Sequence, residues 1–150
     1  MHTYHSCLMH CVWATHRRQP WLTPEIRQRL WPYLGGIARA NGITALAVGG
    51  VADHVHALIS LPPTQSTSKA IQLLKGNSSK WLRDTFPQQL QPGFAWQEGY
   101  GAFSLGISGA ARTRQYIEAQ EHHHRVHDYQ GELLRFLNRH GMKLQADPAD

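Results

Sequence analysis

Cysteine is scarce in this chain: Cys7 and Cys11 are the only two in 150 residues. Two thiols four apart in one strand-like segment do not make a disulfide-stapled secreted scaffold. Long apolar runs are missing too. No stretch reaches the ~20 residues needed to span a bilayer, and no signal-peptide pattern opens the sequence. The expected setting is the cytoplasm, with both thiols reduced and no membrane partner. Repeats, low-complexity tracts and an obvious linker are also absent, which leaves one compact domain over residues 1–150. A chain of this length buries a core without metal or disulfide support. Acidic residues are few, 10 against 15 Lys and Arg, for a formal net charge of +5. That balance favours an anionic partner, nucleic acid first, although an ordinary basic soluble protein carries the same sum.

What the chain does have is histidine, 11 in all, and two of them sit in a telling place. His54-Val55-His56 lies inside the run Val51-Ala-Asp-His-Val-His-Ala-Leu-Ile-Ser-Leu61, bounded by Gly49-Gly50 and Pro62-Pro63. A short, β-branched, apolar run between such breakers reads as a buried strand. Side chains alternate along a strand, so the two histidines share a face with Cα atoms roughly 6.5 Å apart. Two imidazoles at that spacing converge on one divalent ion, or they pack with no ligand at all. Zinc, copper and manganese sites all use such pairs, so the motif alone names neither metal nor reaction. His2, His5, Cys7, His10 and Cys11 resemble a zinc set by residue type. On a strand, however, His5, Cys7, Met9 and Cys11 share one face while His2 and His10 share the other, and the ligands do not converge.

The rest of the chain supplies the frame. Residues 4–15 read as a strand. Thr23-Pro24-Glu25 starts a helix with a cap, a proline at the first helical position and an acid in the first turn. Ile26, Leu30, Leu34, Ile37 and Ala38 form its stripe. Pro32 should kink or restart it, and Asn41-Gly42 stops it. Residues 43–48 are a second strand, turned by Gly49-Gly50 into the histidine strand as a hairpin. Residues 66–86 form a helix with Ala70, Leu73, Leu74, Trp81 and Leu82 inward. Residues 94–97 and 100–105 are short strands, 108–124 a helix and 132–140 another. The order β-α-β-β-α-β is a ferredoxin-like split βαβ sandwich of the α+β class: an antiparallel sheet with helices on one face, and 106–141 as a C-terminal helical extension. In that topology the histidine strand is central.

A two-histidine site wants another ligand and a reacting group. Tyr116 and Gln120 stand at i and i+4, on one helical face. A Gln carbonyl oxygen is a hard ligand suited to Mg²⁺ or Mn²⁺, and a tyrosine hydroxyl beside such an ion can attack phosphorus. The plainer readings are a packed aromatic and a surface amide. Arg17, Arg18, Lys69, Lys75, Lys80 and Arg83 are candidates for DNA phosphate contacts, or else a solvated helix face and turn. Trp13, Tyr100 and Phe103 are candidates for stacking on unpaired bases, or core residues. His122, His123, His124 and His127 follow Gln120; His123 and His124 continue its face toward the site or the DNA, or else the cluster is a solvated set favouring the helix C-terminus.

Four blocks carry a family resemblance: Asp53-His-Val-His56 after Val48-Gly-Gly-Val51, then Leu73-Leu-Lys-Gly-Asn-Ser-Ser79, then Trp96-Gln-Glu-Gly-Tyr-Gly-Ala-Phe-Ser104, then Tyr116-Ile-Glu-Ala-Gln120. In this order and spacing they resemble the IS200/IS605-type single-tyrosine (Y1, HUH-class) transposases, including their REP-associated relatives, over residues 4–141. The resemblance implies a bacterial DNA strand-transfer enzyme in which His54, His56 and Gln120 bind a divalent metal, Mg²⁺ or Mn²⁺. It implies Tyr116 as the nucleophile that forms a 5′-phosphotyrosine link to single-stranded DNA and frees a 3′-OH. It also implies DNA hairpins as partners, and a homodimer whose tyrosine helix crosses to the other subunit on a Gly106–Gly109 hinge. The competing readings are a non-catalytic DNA- or RNA-binding module of the same fold, and a small metal-binding or metallo-oxidase protein.

Overall fold

The elements run strand, helix, strand, strand, helix, strand, and then a set of helices. The computed structural model describes residues 1–91, 93–123 and 128–145, with only the backbone described for His122 and His123. Its strands are β1 (Leu8–Ala14), β2 (Thr44–Gly50), β3 (His54–Ser60) and β4 (Gly101–Leu105). Its helices are α1 (Pro24–Ala40), α2 (Thr67–Thr85), α3 (Ala110–Glu118), α4 (Gln120–His123) and α5 (Tyr129–Arg139). The strands form one antiparallel sheet in the order β2-β3-β1-β4. This is the expected α+β, ferredoxin-like arrangement with β1 and β3 central.

The two faces of the sheet have different covers. Cys11 and Trp13 of β1 and Val55, Ala57 and Ile59 of β3 point into an apolar core closed by Ile26, Leu30, Leu34, Ile71, Leu74 and Leu82 of α1 and α2. The opposite face carries Val12, Ala14 and Phe103, covered by Tyr129, Leu133, Phe136 and Leu137 of α5. His10, His54 and His56 belong to this second face by register: Val12 pairs His56, Ala14 pairs His54, and His10 pairs Phe103. Helices therefore lie on both faces, with the C-terminal ones over the histidines. Among the described residues no helix is long and apolar enough to cross a membrane.

Caps fall where the residue types put them. The Thr23 side chain accepts from the Ile26 N–H, and the Ser66 side chain accepts from the Lys69 N–H. Four details depart from expectation. α1 runs unbroken through Pro32. An interior proline removes one hydrogen bond and costs about 3 kcal/mol, but both Pro32 and Gln28, whose carbonyl loses its partner, face water. The first strand begins at Leu8 rather than residue 4, because its neighbour β3 ends at Ser60, opposite Leu8. The hairpin turns at residues 51–53, and Gly49 and Gly50 belong to β2. Residues 94–97 form no strand, only a single bridge from Trp96 to Thr15. There the Gln97 side-chain oxygen takes the Ala14 N–H at 2.6 Å, the donor a longer ladder would use, while Phe94 and Trp96 turn into the core against Trp13 and Trp21.

Candidate active site

The centre of the site is a strand position. His54 and His56 are fully buried on β3, with ring centroids 5.1 Å apart. Each has one ring nitrogen held from behind. His54 Nδ1 lies 2.7 Å from Asp53 Oδ1, and His56 Nδ1 lies 2.8 Å from His10 Nε2. Both Nε2 atoms then face the same point. His56 Nε2 is 2.8 Å from Glu132 Oε1, and His54 Nε2 is 3.4 Å from that oxygen and 3.3 Å from Gln120 Oε1. Burial alone would lower the His54 pKa, but the Asp53 and Glu132 carboxylates outweigh it and push it up to about 9. His10 moves the other way, down to about 3, through burial and then the neighbouring His56.

Tyr116 and Gln120 arrive from above on α3 and α4. α3 lies close on β2 because residue 49 is glycine: a Cβ there would stand 2.6 Å from the Ile117 carbonyl oxygen. Gly49 pairs with His56, so the close approach sets the tyrosine turn directly over the histidine strand. The Arg114 guanidinium fastens the helix by donating to Leu46 O from Nε at 2.9 Å. The expected continuous helix over 108–124 is not what forms. A 3-10 turn spans Ile107–Gly109, α3 ends at Glu118, and Ala119 breaks the path before Gln120. At the break, the Tyr116 carbonyl accepts the Gln120 side-chain amide at 3.3 Å; side-chain bonding of this kind competes with helical continuation. Both residues still reach the site. The Tyr116 hydroxyl donates to Glu132 Oε2, and its ring centroid lies 5.7 Å from that of His56. Burial, then the Glu132 carboxylate, hold the phenol well above its usual pKa. Gln120 is buried, and its Nε2 donates to Glu132 Oε2 at 3.3 Å. His124 and His127 lie outside the described residues, as do the side chains of His122 and His123.

Glu132 is the residue that sequence reasoning missed. It is 1% exposed and touches Tyr116, Gln120, His54 and His56 at once. A signal for it exists. On α5 the apolar stripe reads Tyr129, Leu133, Phe136 and Leu137, and Glu132 is an acid set into that stripe. Its contacts span 76 residues to His56, beyond any local pattern. His10 and Asp53 form a second tier behind His56 and His54 that residue type alone did not reveal either. The ligand atoms of His54, His56 and Glu132 all lie within 4.8 Å of one another. Two imidazole nitrogens, a carboxylate and an amide oxygen form a donor set that suits a divalent ion such as Mn²⁺, Mg²⁺ or Zn²⁺. A cleft of about 520 Å³, lined in part by Asp53, Tyr129, Arg27 and Glu121, opens beside the site.

The candidate DNA contacts lie elsewhere. Arg17 and Arg18 are exposed on a short turn just beyond β1, both in the left-handed region with φ near 54° and 52°. Thr15, at the root of that turn, donates its N–H to Asp53 O, so the pair sits at the His54 end of the sheet. Lys69, Lys75, Lys80 and Arg83 are on α2, across the sheet from the histidines. Lys69 is exposed, Lys80 stands 3.8 Å from Asp84, and Arg83 donates to Phe94 O. Lys75 is half-buried and donates to the carbonyls of Gln97 and Gly99 at 2.8 and 2.9 Å, pinning the approach to β4. Of the stacking candidates, Trp13 and Phe103 are buried and Tyr100 is exposed.

A family model described as "Transposase IS200 like" matches residues 3–120, a span that holds His54, His56, Tyr116 and Gln120. The ISDra2 transposase TnpA of Deinococcus radiodurans is 30% identical over 114 residues, 74% of this chain and 81% of that protein. The transposase for insertion sequence element IS200 of Salmonella typhimurium is 29% identical over 122 residues, 79% of this chain and 80% of that one. A crystal structure assigned as a transposase from Deinococcus radiodurans superposes with a TM-score of 0.67 at 29% identity, covering 80% of this chain and 95% of that one. The REP-associated tyrosine transposase bound to a REP hairpin shares the fold at a TM-score of 0.58 and 17% identity, covering 83% of this chain and 74% of that one. With four sequence blocks, the sheet order and the family model in agreement, this chain belongs to the IS200-like transposase family.

Proposed function

We propose that the chain is a metal-dependent, HUH-class nuclease and strand transferase that cuts and rejoins single-stranded DNA through Tyr116. The observation that carries this reading is the convergence of the Tyr116 hydroxyl, His54 Nε2, His56 Nε2 and the Gln120 carbonyl on one buried point. Four chemically useful groups from two distant parts of the chain meet there. His54, His56 and Gln120 would hold the divalent ion, Mg²⁺ or Mn²⁺, with Glu132 as a further oxygen donor. Such an ion, when bound, supplies positive charge to a non-bridging phosphate oxygen as negative charge builds up.

The protein groups account for the rest. Tyr116 Oη meets one oxygen of the Glu132 carboxylate, whose other oxygen lies against both Nε2 atoms. Its attack forms the phosphorus–Oη bond and breaks the bond from phosphorus to the 3′-oxygen, which leaves with the electron pair and takes a proton. The product is a 5′-phosphotyrosine and a free 3′-OH. Because a phenolate leaves phosphorus about as readily as it attacks, the link keeps the bond energy and a later 3′-OH reverses the step. In the resting chain the phenolic hydrogen is held on Glu132 Oε2.

Single-stranded DNA with hairpins is the substrate this reading names. Arg17 and Arg18, exposed at the His54 end of the sheet, would meet phosphates near the cut, while Lys69, Lys80 and Arg83 across the sheet would meet the hairpin body. Lys75 keeps a role in shaping that surface. We take residues 1–150 as a single working unit with 106–141 as its helical extension. We also take it as a cytoplasmic homodimer whose two sites exchange the Tyr116 helix.

Incubation with labelled hairpin-bearing single-stranded DNA and Mn²⁺, followed by denaturing electrophoresis, tests the reaction. A covalent protein–DNA species is expected, and Tyr116→Phe should abolish it while leaving DNA retention intact. No adduct from the wild-type chain, with DNA still bound, would instead favour the non-catalytic binding module. An adduct surviving in Tyr116→Phe would remove the nucleophile assignment.

A further inference from the structure

An imidazole binds a metal ion only through a nitrogen that carries no proton. Which nitrogen is bare depends on the hydrogen bond made by the other. For His54 the choice is settled by its neighbour. Asp53 Oδ1, 2.7 Å from Nδ1, is an acceptor, so Nδ1 keeps its proton and Nε2 is the nitrogen that gives one up to an ion. His56 has a different kind of group behind it. The neighbour of its Nδ1 is another imidazole, His10, with Nε2 at 2.8 Å. A neutral imidazole nitrogen either donates or accepts, so the His10 tautomer decides which way His56 faces.

Two arrangements hold the same number of protons. In one, His10 Nε2–H donates to His56 Nδ1, and His56 Nε2–H donates to Glu132 Oε1, 2.8 Å away. This arrangement blocks the nitrogen an ion needs. In the other, His56 Nδ1–H donates to a bare His10 Nε2, and His56 Nε2 is free. We infer that His10 is a positioning residue for His56, accepting the His56 Nδ1–H so that Nε2 is presented to the metal ion. The inference rests on the metal reading proposed above.

The surroundings of His10 suit this task. It is 4% exposed on the central strand β1, its ring set edge-on to Phe136 at 4.9 Å and 89°. Met9 and Cys11, the strand neighbours of His10, pack against or within the core on the other side of the sheet. A packing residue at position 10 would need only volume, and an aliphatic or phenyl side chain would serve.

Two variants separate acceptor from volume. His10→Gln keeps an acceptor near the Nε2 position, and His10→Phe keeps the ring and loses the acceptor. Mn²⁺ affinity is read by titration calorimetry, with the metal-free melting temperature as the folding control. Loss of an outer-shell partner typically lowers affinity about 10- to 100-fold, and that is the expected loss in His10→Phe, with His10→Gln recovering most of it. A packing role predicts the reverse order, with Phe nearest to wild type and Gln furthest. Wild-type Mn²⁺ affinity in a folded His10→Phe chain overturns the inference and leaves the site reading standing. A wild-type chain that takes up no divalent ion overturns both. Should His10→Phe fail to fold, ¹⁵N spectra of the wild-type chain with Mg²⁺ decide the matter. A proton on His56 Nδ1 and a bare His10 Nε2 are expected, and a protonated His10 Nε2 in the loaded chain refutes the assignment.

Discussion

At the scale of single residues, the site is two histidines made unlike by what stands behind them. That difference has a pH signature in the chain without metal. His54 has a folded pKa of about 9 against an ordinary 6.5, because the Asp53 and Glu132 carboxylates overcome its burial. A group raised on folding contributes stability that is fully present below pH 6.5 and lost as pH climbs through 9. His10 is the opposite case: burial lowers it to about 3. The unfolded chain takes up its proton below pH 6.5 and the folded chain refuses it, so stability falls as pH drops from 6.5 toward 3. In EDTA the urea midpoint should therefore peak near neutrality and decline on both sides. Asp53→Asn should flatten the alkaline limb and leave the acid limb alone. An unchanged alkaline limb in that variant would show that the carboxylate does not set the His54 proton. His54, His56, Tyr116 and Gln120 were legible in the sequence because their spacing is local, two or four residues apart. Glu132 and His10 were not, because they meet His56 across 76 and 46 residues of chain, and only the folded topology brings them there.

At the scale of elements, the decisive contact is α3 on β2 and β3. Gly49 permits it, and the sequence suggested a turn there rather than a close approach. A double glycine between two strand-like runs signals a hairpin bend; that a helix from 60 residues later needs the missing Cβ cannot be read locally. Gly49→Ala would put a methyl group 2.6 Å from the Ile117 carbonyl, so α3 must lift. Overpacking of this kind costs about 1–3 kcal/mol, and adduct formation by Tyr116 should fall further than Mn²⁺ affinity, because the histidines stay on their strand. Gly76, exposed on α2 with open space around it, supplies the contrast. Gly76→Ala should stabilise by about 0.5–1 kcal/mol, as alanine does in a helix interior, and leave catalysis unchanged. Thermal melts and the adduct assay on both variants check the opposite signs. A Gly49→Ala chain with wild-type stability and activity would mean that α3 does not depend on this approach. α1 and α2 were legible nearly to the residue because Thr23 and Ser66 are true caps. The split at Ala119 was not, because it rests on a side-chain amide competing for the Tyr116 carbonyl.

At the scale of the whole molecule, the β-α-β-β-α-β order is written in the sequence, while the partner state is not, and there is a physical reason. In this chain Tyr116 lies over its own His56. α3 is fastened to β2 by Arg114, α4 to α1 by the 2.9 Å ion pair of Glu121 with Arg27, and α5 to β4 by the stack of Phe136 on Phe103. A dimer that exchanges the segment from α3 onward would make all of these same contacts with the partner's surface, as swapped assemblies do. Only the lead-in at Gly106–Gly109 would change path. That lead-in is a short 3-10 turn, held by backbone bonds from Gly109 N–H to Gly106 O at 3.0 Å and from Ala110 N–H to Ile107 O. Sequence pattern and side-chain contacts are thus the same in both states, and a complementation experiment distinguishes them. Tyr116→Phe and His56→Ala chains should each be inactive alone. Mixed after co-refolding, random assortment makes half of the dimers heterodimers, and each heterodimer with exchanged helices has one intact site of two. The expected recovery is about one quarter of the wild-type adduct in a symmetric dimer. With Tyr116 acting on its own histidines, every site in the mixture lacks either the nucleophile or a ligand, and no adduct should form. An absence of recovery, with heterodimers verified by differential tags, would therefore assign the working site to the single chain.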